Sequence, residues 1–136
     1  MAPKEIVSKM MEGDAFSRWL GIKVEAVELG SCELKMTITQ EMVNGFNIAH
    51  GGILYSFSDS CLAFAANSYG QKAVSIETSI SHTRPSATGD ILIAKAKELN
   101  RTKNIGIYEV IVTNQKGKVV SLFKGTVFIK SADYWK

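Results

Sequence analysis

His50-Gly51-Gly52 opens an apolar run, Ile53 to Tyr69, that carries a single acid, Asp59. A carboxylate set among Ile-Leu-Tyr-Ser-Phe-Ser-Asp-Ser-Cys-Leu-Ala-Phe-Ala-Ala is costly to bury unless it is paired, hydrogen-bonded or protonated. The two glycines fall where a helix presents unpaired backbone N–H groups, which suit developing negative charge. A side chain at either position would stand between that N–H and an incoming carbonyl. In hydrolases one lost donor of this kind costs about 3–4 kcal/mol of transition-state stabilisation. Apolar surroundings are expected to raise the Asp59 pKa by desolvation. A carboxylate and oxyanion-type donors in one segment point to acyl chemistry.

The elements that must position this segment are legible from pattern. Ile6, Met10, Met11, Phe16, Trp19 and Leu20 predict a short amphipathic helical segment within residues 1–20, broken near Gly13. Ile22-Val24-Ala26 and Leu34-Met36-Ile38 alternate with polar residues and predict two strands joined by a turn at Leu29-Gly30-Ser31. Residues 40–50 read as a connecting loop. About 18 helical residues follow from Gly51, roughly 27 Å at 1.5 Å per residue. That helix is apolar nearly all round, as expected of one enclosed by other structure. Val74-Ile76-Thr78-Ile80 predicts a strand ending at Arg84-Pro85, and Ile91–Leu99, Ile105–Thr113 and Val119–Ile129 predict three more. No helix separates the last four strands, which argues against a doubly wound parallel sheet. The expected class is α+β: one curved antiparallel sheet wrapped around one long apolar helix, the hotdog arrangement.

Bulk properties narrow the function. The chain's 136 residues suit a single domain, residues 1–136, with a real core. A net charge of +3, with Lys and Arg interspersed among Glu and Asp, gives no nucleic-acid footprint. Cys32 and Cys61 stand in no paired or metal-like spacing, which argues against a disulfide framework or a metal site and fits a reducing cytoplasm. No signal-like leader and no membrane-length apolar run occur.

The ordered set Asn44-Gly45, His50-Gly51-Gly52, Asp59, Arg84-Pro85 and Gly89-Asp90 resembles the hotdog-fold acyl-CoA thioesterases of the phenylacetate-pathway (PaaI) type. The resemblance runs from about Leu20 to Phe128. It implies hydrolysis of an acyl-CoA or aryl-CoA, with coenzyme A entering as part of the substrate and no separate cofactor. It implies Asp59 as nucleophile or general base and Gly51 as oxyanion donor. Asn44 would place the water or the carbonyl, and His50 would shape the turn or touch the thioester. Ser75 matches a position where some relatives carry a water-positioning hydroxyl. Arg84, Arg101 and Lys103, at strand ends, are the candidates for the phosphates of coenzyme A. The rival reading is a non-catalytic acyl-CoA-binding, regulatory hotdog module. The acid–base spacings of hotdog dehydratases and hydratases are missing.

Helix geometry adds an expectation about assembly. Gly51 and Asp59 are eight residues apart, so about 12 Å separates them along one helix axis. One thioester needs both groups within roughly 3 Å of its reacting atoms. Two antiparallel copies across a two-fold axis meet that requirement, which predicts a homodimer with two composite sites; a homotetramer of such dimers is a further expectation that this geometry does not itself supply. Cys61 is expected to be an inert buried thiol. His82 is expected to be structural or at the dimer contact, and Phe46, Ile48, Tyr55 and Phe57 to belong to an acyl pocket or the core.

Overall fold

The computed structural model describes residues 1–136. Helix α1 (Pro3–Gly13) and the short α2 (Ala15–Trp19) come first, then strands β1 (Lys23–Glu28) and β2 (Ser31–Thr37). A 3-10 turn at Gln40–Met42 leads to the long helix α3 (Gly51–Asn67), followed by β3 (Gln71–His82), β4 (Ile91–Arg101), β5 (Ile105–Thr113) and β6 (Val119–Tyr134). The helical break expected near Gly13 is there, with Asp14 capping α2 through Ser17 N at 3.0 Å.

All six strands join one antiparallel sheet in the order β1-β2-β4-β5-β6-β3. Period-2 alternation turns one side chain in two toward α3. Leu34 and Met36, Leu92 and Ala94, Val110 and Val112, and Val127 and Ile129 all lie buried on that concave face. Helix α3 answers with Leu54, Phe57, Cys61, Leu62, Phe64 and Ala65. The sheet closes on the helix where Gly125 of β6 passes Leu62; a Cβ on Gly125 would sit 2.5 Å from Leu62 Cδ2. The hotdog arrangement expected from pattern is the fold observed.

One expectation needs correction. Helix α3 is not enclosed all round: Gly52 and Tyr55 are exposed, and Ser56, Asp59, Ser60 and Ala63 are half-buried. The sheet covers one side of the helix, and α1 and α2 cover only part of the rest. In β3 the apolar row divides between solvent and core, with Ile80 packed against the core. Val74 and Ile76 are 49% and 59% exposed, while Ala73 is buried. β3 is an edge strand, and a register shift between Ser75 and Glu77 breaks its alternation against β6. β6 also runs past Ile129 to Tyr134, pairing there with Gln71 at the start of β3.

Candidate active site

The entry to α3 is built by short-range hydrogen bonds. His50 is the N-cap, and its Nδ1 accepts from Gly52 N at 2.9 Å. Its backbone N donates to Met42 O at 2.8 Å, and Ala49 N donates to Ser86 O at 2.7 Å. These bonds clamp the loop between the 3-10 turn and the segment after β3. Of the first amides of the helix, that of Gly52 is thus taken by His50, whereas that of Gly51 makes no hydrogen bond within the chain. His50 thus caps the helix with Nδ1 as the acceptor.

Gly51 opens into a cleft of about 470 Å³ that it shares with Asn44, Ile48, His82, Arg84 and Ser86, among others. Asn44 Oδ1 holds its own loop by accepting from Phe46 N (2.9 Å) and Ile48 N (3.4 Å), which leaves the side-chain amide nitrogen without a partner in the chain. Ser86 is buried, yet its hydroxyl has no hydrogen-bond partner. Buried polar groups are normally satisfied. A backbone N–H and an amide N–H₂ without partners in the chain thus belong to residues lining one cleft, and the buried Ser86 hydroxyl lies within the same wall. Gly51 also has steric meaning, because a Cβ there would meet His82 Nε2 at 3.3 Å.

Asp59 lies elsewhere on the same helix. It lines a separate cleft of about 240 Å³ with Leu62, Ala63, Ala73, Val74, Ser75 and Val127. Burial, and secondarily the like charge of Asp14, push its carboxyl above the ordinary 3.8. No donor or cation in the chain offsets this. Asp14 is brought near by α2, which docks on α3 through a 2.8 Å contact between the hydroxyls of Ser17 and Ser60. Ser75 thus shares the space of Asp59, as Asn44 and Arg84 share that of Gly51.

The other two candidate cations stand apart from both clefts. The Arg101 guanidinium lies 3.8 Å over the Tyr69 ring and donates to Ala66 O (3.3 Å), Tyr108 OH (3.2 Å) and Gln71 Oε1 (3.2 Å). Glu98 completes this cluster by accepting from Tyr108 OH at 2.8 Å and Tyr69 OH at 3.1 Å. Burial and the Glu98 bond push the Tyr108 phenol well up. Arg101 therefore ties the C-terminal end of α3 to β4 and β5. Lys103 is exposed in the β4–β5 turn. A third cleft, of about 380 Å³, flanks the first turn of α3 and joins His50, Gly52 and Ser56 to the half-exposed stack of Phe16 on Trp19.

Residues 46–121 match the model of the thioesterase superfamily. The chain belongs to that superfamily. Membership makes it a thioester hydrolase, and its relatives agree. It is 39% identical to the Escherichia coli acyl-coenzyme A thioesterase PaaI over 85% of this chain and 83% of that protein. The structure of the E. coli PaaI protein superposes with a TM-score of 0.92 at 35% identity, covering 93% of this chain and 92% of the other. A mutant form of the phenylacetic acid degradation protein PaaI from Thermus thermophilus gives 0.82 at 35% identity, over 85% and 98%.

Two residues lining the Gly51 cleft were not expected there: Ser86 was not singled out, and His82 was expected to be structural or at the dimer contact. Ser86 is an ordinary loop serine until its burial is known. His82 carried a signal, a histidine at the end of a strand beside Arg84-Pro85, but its proximity to Gly51 depends on the fold.

Proposed function

We propose that the protein hydrolyses acyl-CoA thioesters in composite sites at a homodimer interface, with Gly51 of one subunit facing Asp59 of the partner subunit. The observation that carries this reading is the division of labour between clefts. The free amide and the free carboxylate lie in different clefts of one chain, and neither has an intramolecular partner. The exposed edge of β3, with Val74 and Ile76, supplies an apolar surface and a row of unpaired backbone groups for a second copy.

In this reading the thioester carbonyl accepts from Gly51 N–H, and the Asn44 amide orients a water. Asp59 of the partner subunit takes one proton of that water as its oxygen bonds to the carbonyl carbon. The tetrahedral oxyanion collapses by breaking the C–S bond, and the CoA thiolate leaves and is protonated. Arg84 favours the polyphosphate arm on its side of the helix entry. The Phe16–Trp19 stack favours the acyl group on the other. No resident cofactor takes part in these steps. The cytoplasm, where acyl-CoA esters and reduced thiols coexist, suits the two free cysteines.

The test is thiol release from a panel of acyl- and aryl-CoA esters. Wild type should release thiol, and Asp59→Asn should lower kcat by at least about 10³-fold while still binding the ester. Tight binding without thiol release from any ester would instead make the protein a binding module. Single turnover in ¹⁸O-water bears on the two roles of Asp59: label in its own carboxylate marks a nucleophile whose mixed anhydride water opens at Asp59, since a base puts label in the acid alone.

A further inference from the structure

We infer that His82 is a second oxyanion donor, acting beside the Gly51 amide on the same carbonyl oxygen; this rests on the thioesterase reading of the Gly51 cleft. Stabilising a tetrahedral oxyanion ordinarily takes more than one preorganised donor 2.7–3.1 Å from the oxygen. The neighbouring helix amide would be the obvious second donor, but Gly52 N–H is already bonded to His50 Nδ1 at 2.9 Å. Gly51 alone is left of that pair.

His82 supplies the missing group. It ends β3, faces the cleft, and brings Nε2 to 3.3 Å from where a Gly51 Cβ would stand. Within a residue Cβ and N are about 2.5 Å apart, so Nε2 and the Gly51 nitrogen are separated by no more than about 6 Å. One oxygen accepting from both at about 3 Å fits that span. The ring makes no hydrogen bond within the chain, so Nε2 is free to donate in the tautomer that carries its proton there. The glycine at 51 has a corresponding reason: any side chain there would fill the space between imidazole and amide. The position of the ring follows from β3, whose pairing of His82 with Ser121 fixes the end of the strand.

His82→Phe keeps the ring bulk and removes the donor, and His82→Gln restores an N–H donor. Steady-state kinetics with an acyl-CoA that wild type hydrolyses should show kcat roughly 10- to 100-fold lower in His82→Phe with little change in KM. His82→Gln should recover most of that loss. Full kcat in His82→Phe, a rise in KM alone, or a His82→Gln variant as slow as His82→Phe would each overturn the donor role while leaving the thioesterase reading intact. Absence of thiol release by wild type from every ester would overturn that reading, and the donor role with it.

Discussion

Asp59 is held under conditions that favour its neutral form, and this has a measurable sign. Folding raises its carboxyl above 3.8, so the native state binds that proton more tightly than the unfolded chain does. Stability contributed by this group is therefore present at low pH and lost as pH rises through the folded pKa. Asp59→Asn should raise Tm by a few degrees at pH 7, and the gain should vanish as the pH approaches 4; differential scanning calorimetry across that range reads it. Activity should move the other way, since the ionised form is the base: the acid limb of kcat/KM should have its midpoint above 3.8. At the other end of the pH argument, Asp90 accepts from Ala87 N and Gln115 Nε2, which lower its carboxyl. It steadies the turn before β4 at neutral pH and loses that hold as acid protonates it. Arg101 belongs with the structural residues. Arg101→Ala should cost about 2 kcal/mol of stability, read by urea unfolding, without the KM increase expected of a phosphate contact. Arg84→Ala should show that increase instead.

Among the elements, α3 and its glycines were the most legible. A long apolar run with one acid, entered through His-Gly-Gly, has few other readings, and its observed bounds, Gly51–Asn67, follow the pattern closely. The strands were legible because alternation has a fixed period. β3 was legible as a strand but its setting was not, because Val74 and Ile76 meet solvent at a sheet edge, and edge position is a property of topology. The close approach of β6 to α3 was equally hidden. Gly125 looks like any strand glycine until Leu62 is set against it. Gly125→Ala must push the helix or the Leu62 side chain aside, and a destabilisation of about 1–3 kcal/mol should appear in thermal or urea melts. The same blindness explains Arg101: a cation at a strand end reads as solvent-facing, and nothing local announces Tyr69 and Tyr108.

For the whole molecule, the open stripe of α3 and the bare edge of β3 are two adjoining unfinished surfaces. Val74 and Ile76 lie on that edge, close to Ser75 and the Asp59 cleft. A charge at either should weaken association, so Ile76→Lys is expected to shift sedimentation toward monomer. Specific activity should then fall on dilution, while each chain keeps its secondary structure by circular dichroism. A monomer that stays fully active at every concentration would refute the composite site.

The separation of the Gly51 amide from the Asp59 carboxylate also has a genetic reading. Proline is tolerated at the first position of a helix, so Gly51→Pro deletes the donor without breaking α3. A Gly51→Pro subunit keeps a working carboxylate, and an Asp59→Asn subunit keeps a working amide. In a composite dimer the two lesions are complementary: each variant alone is inactive, yet a mixed dimer holds one intact site and one doubly damaged site. Random mixing should return about a quarter of wild-type activity. Two alleles of a single gene would then rescue each other as though they were defects in different genes.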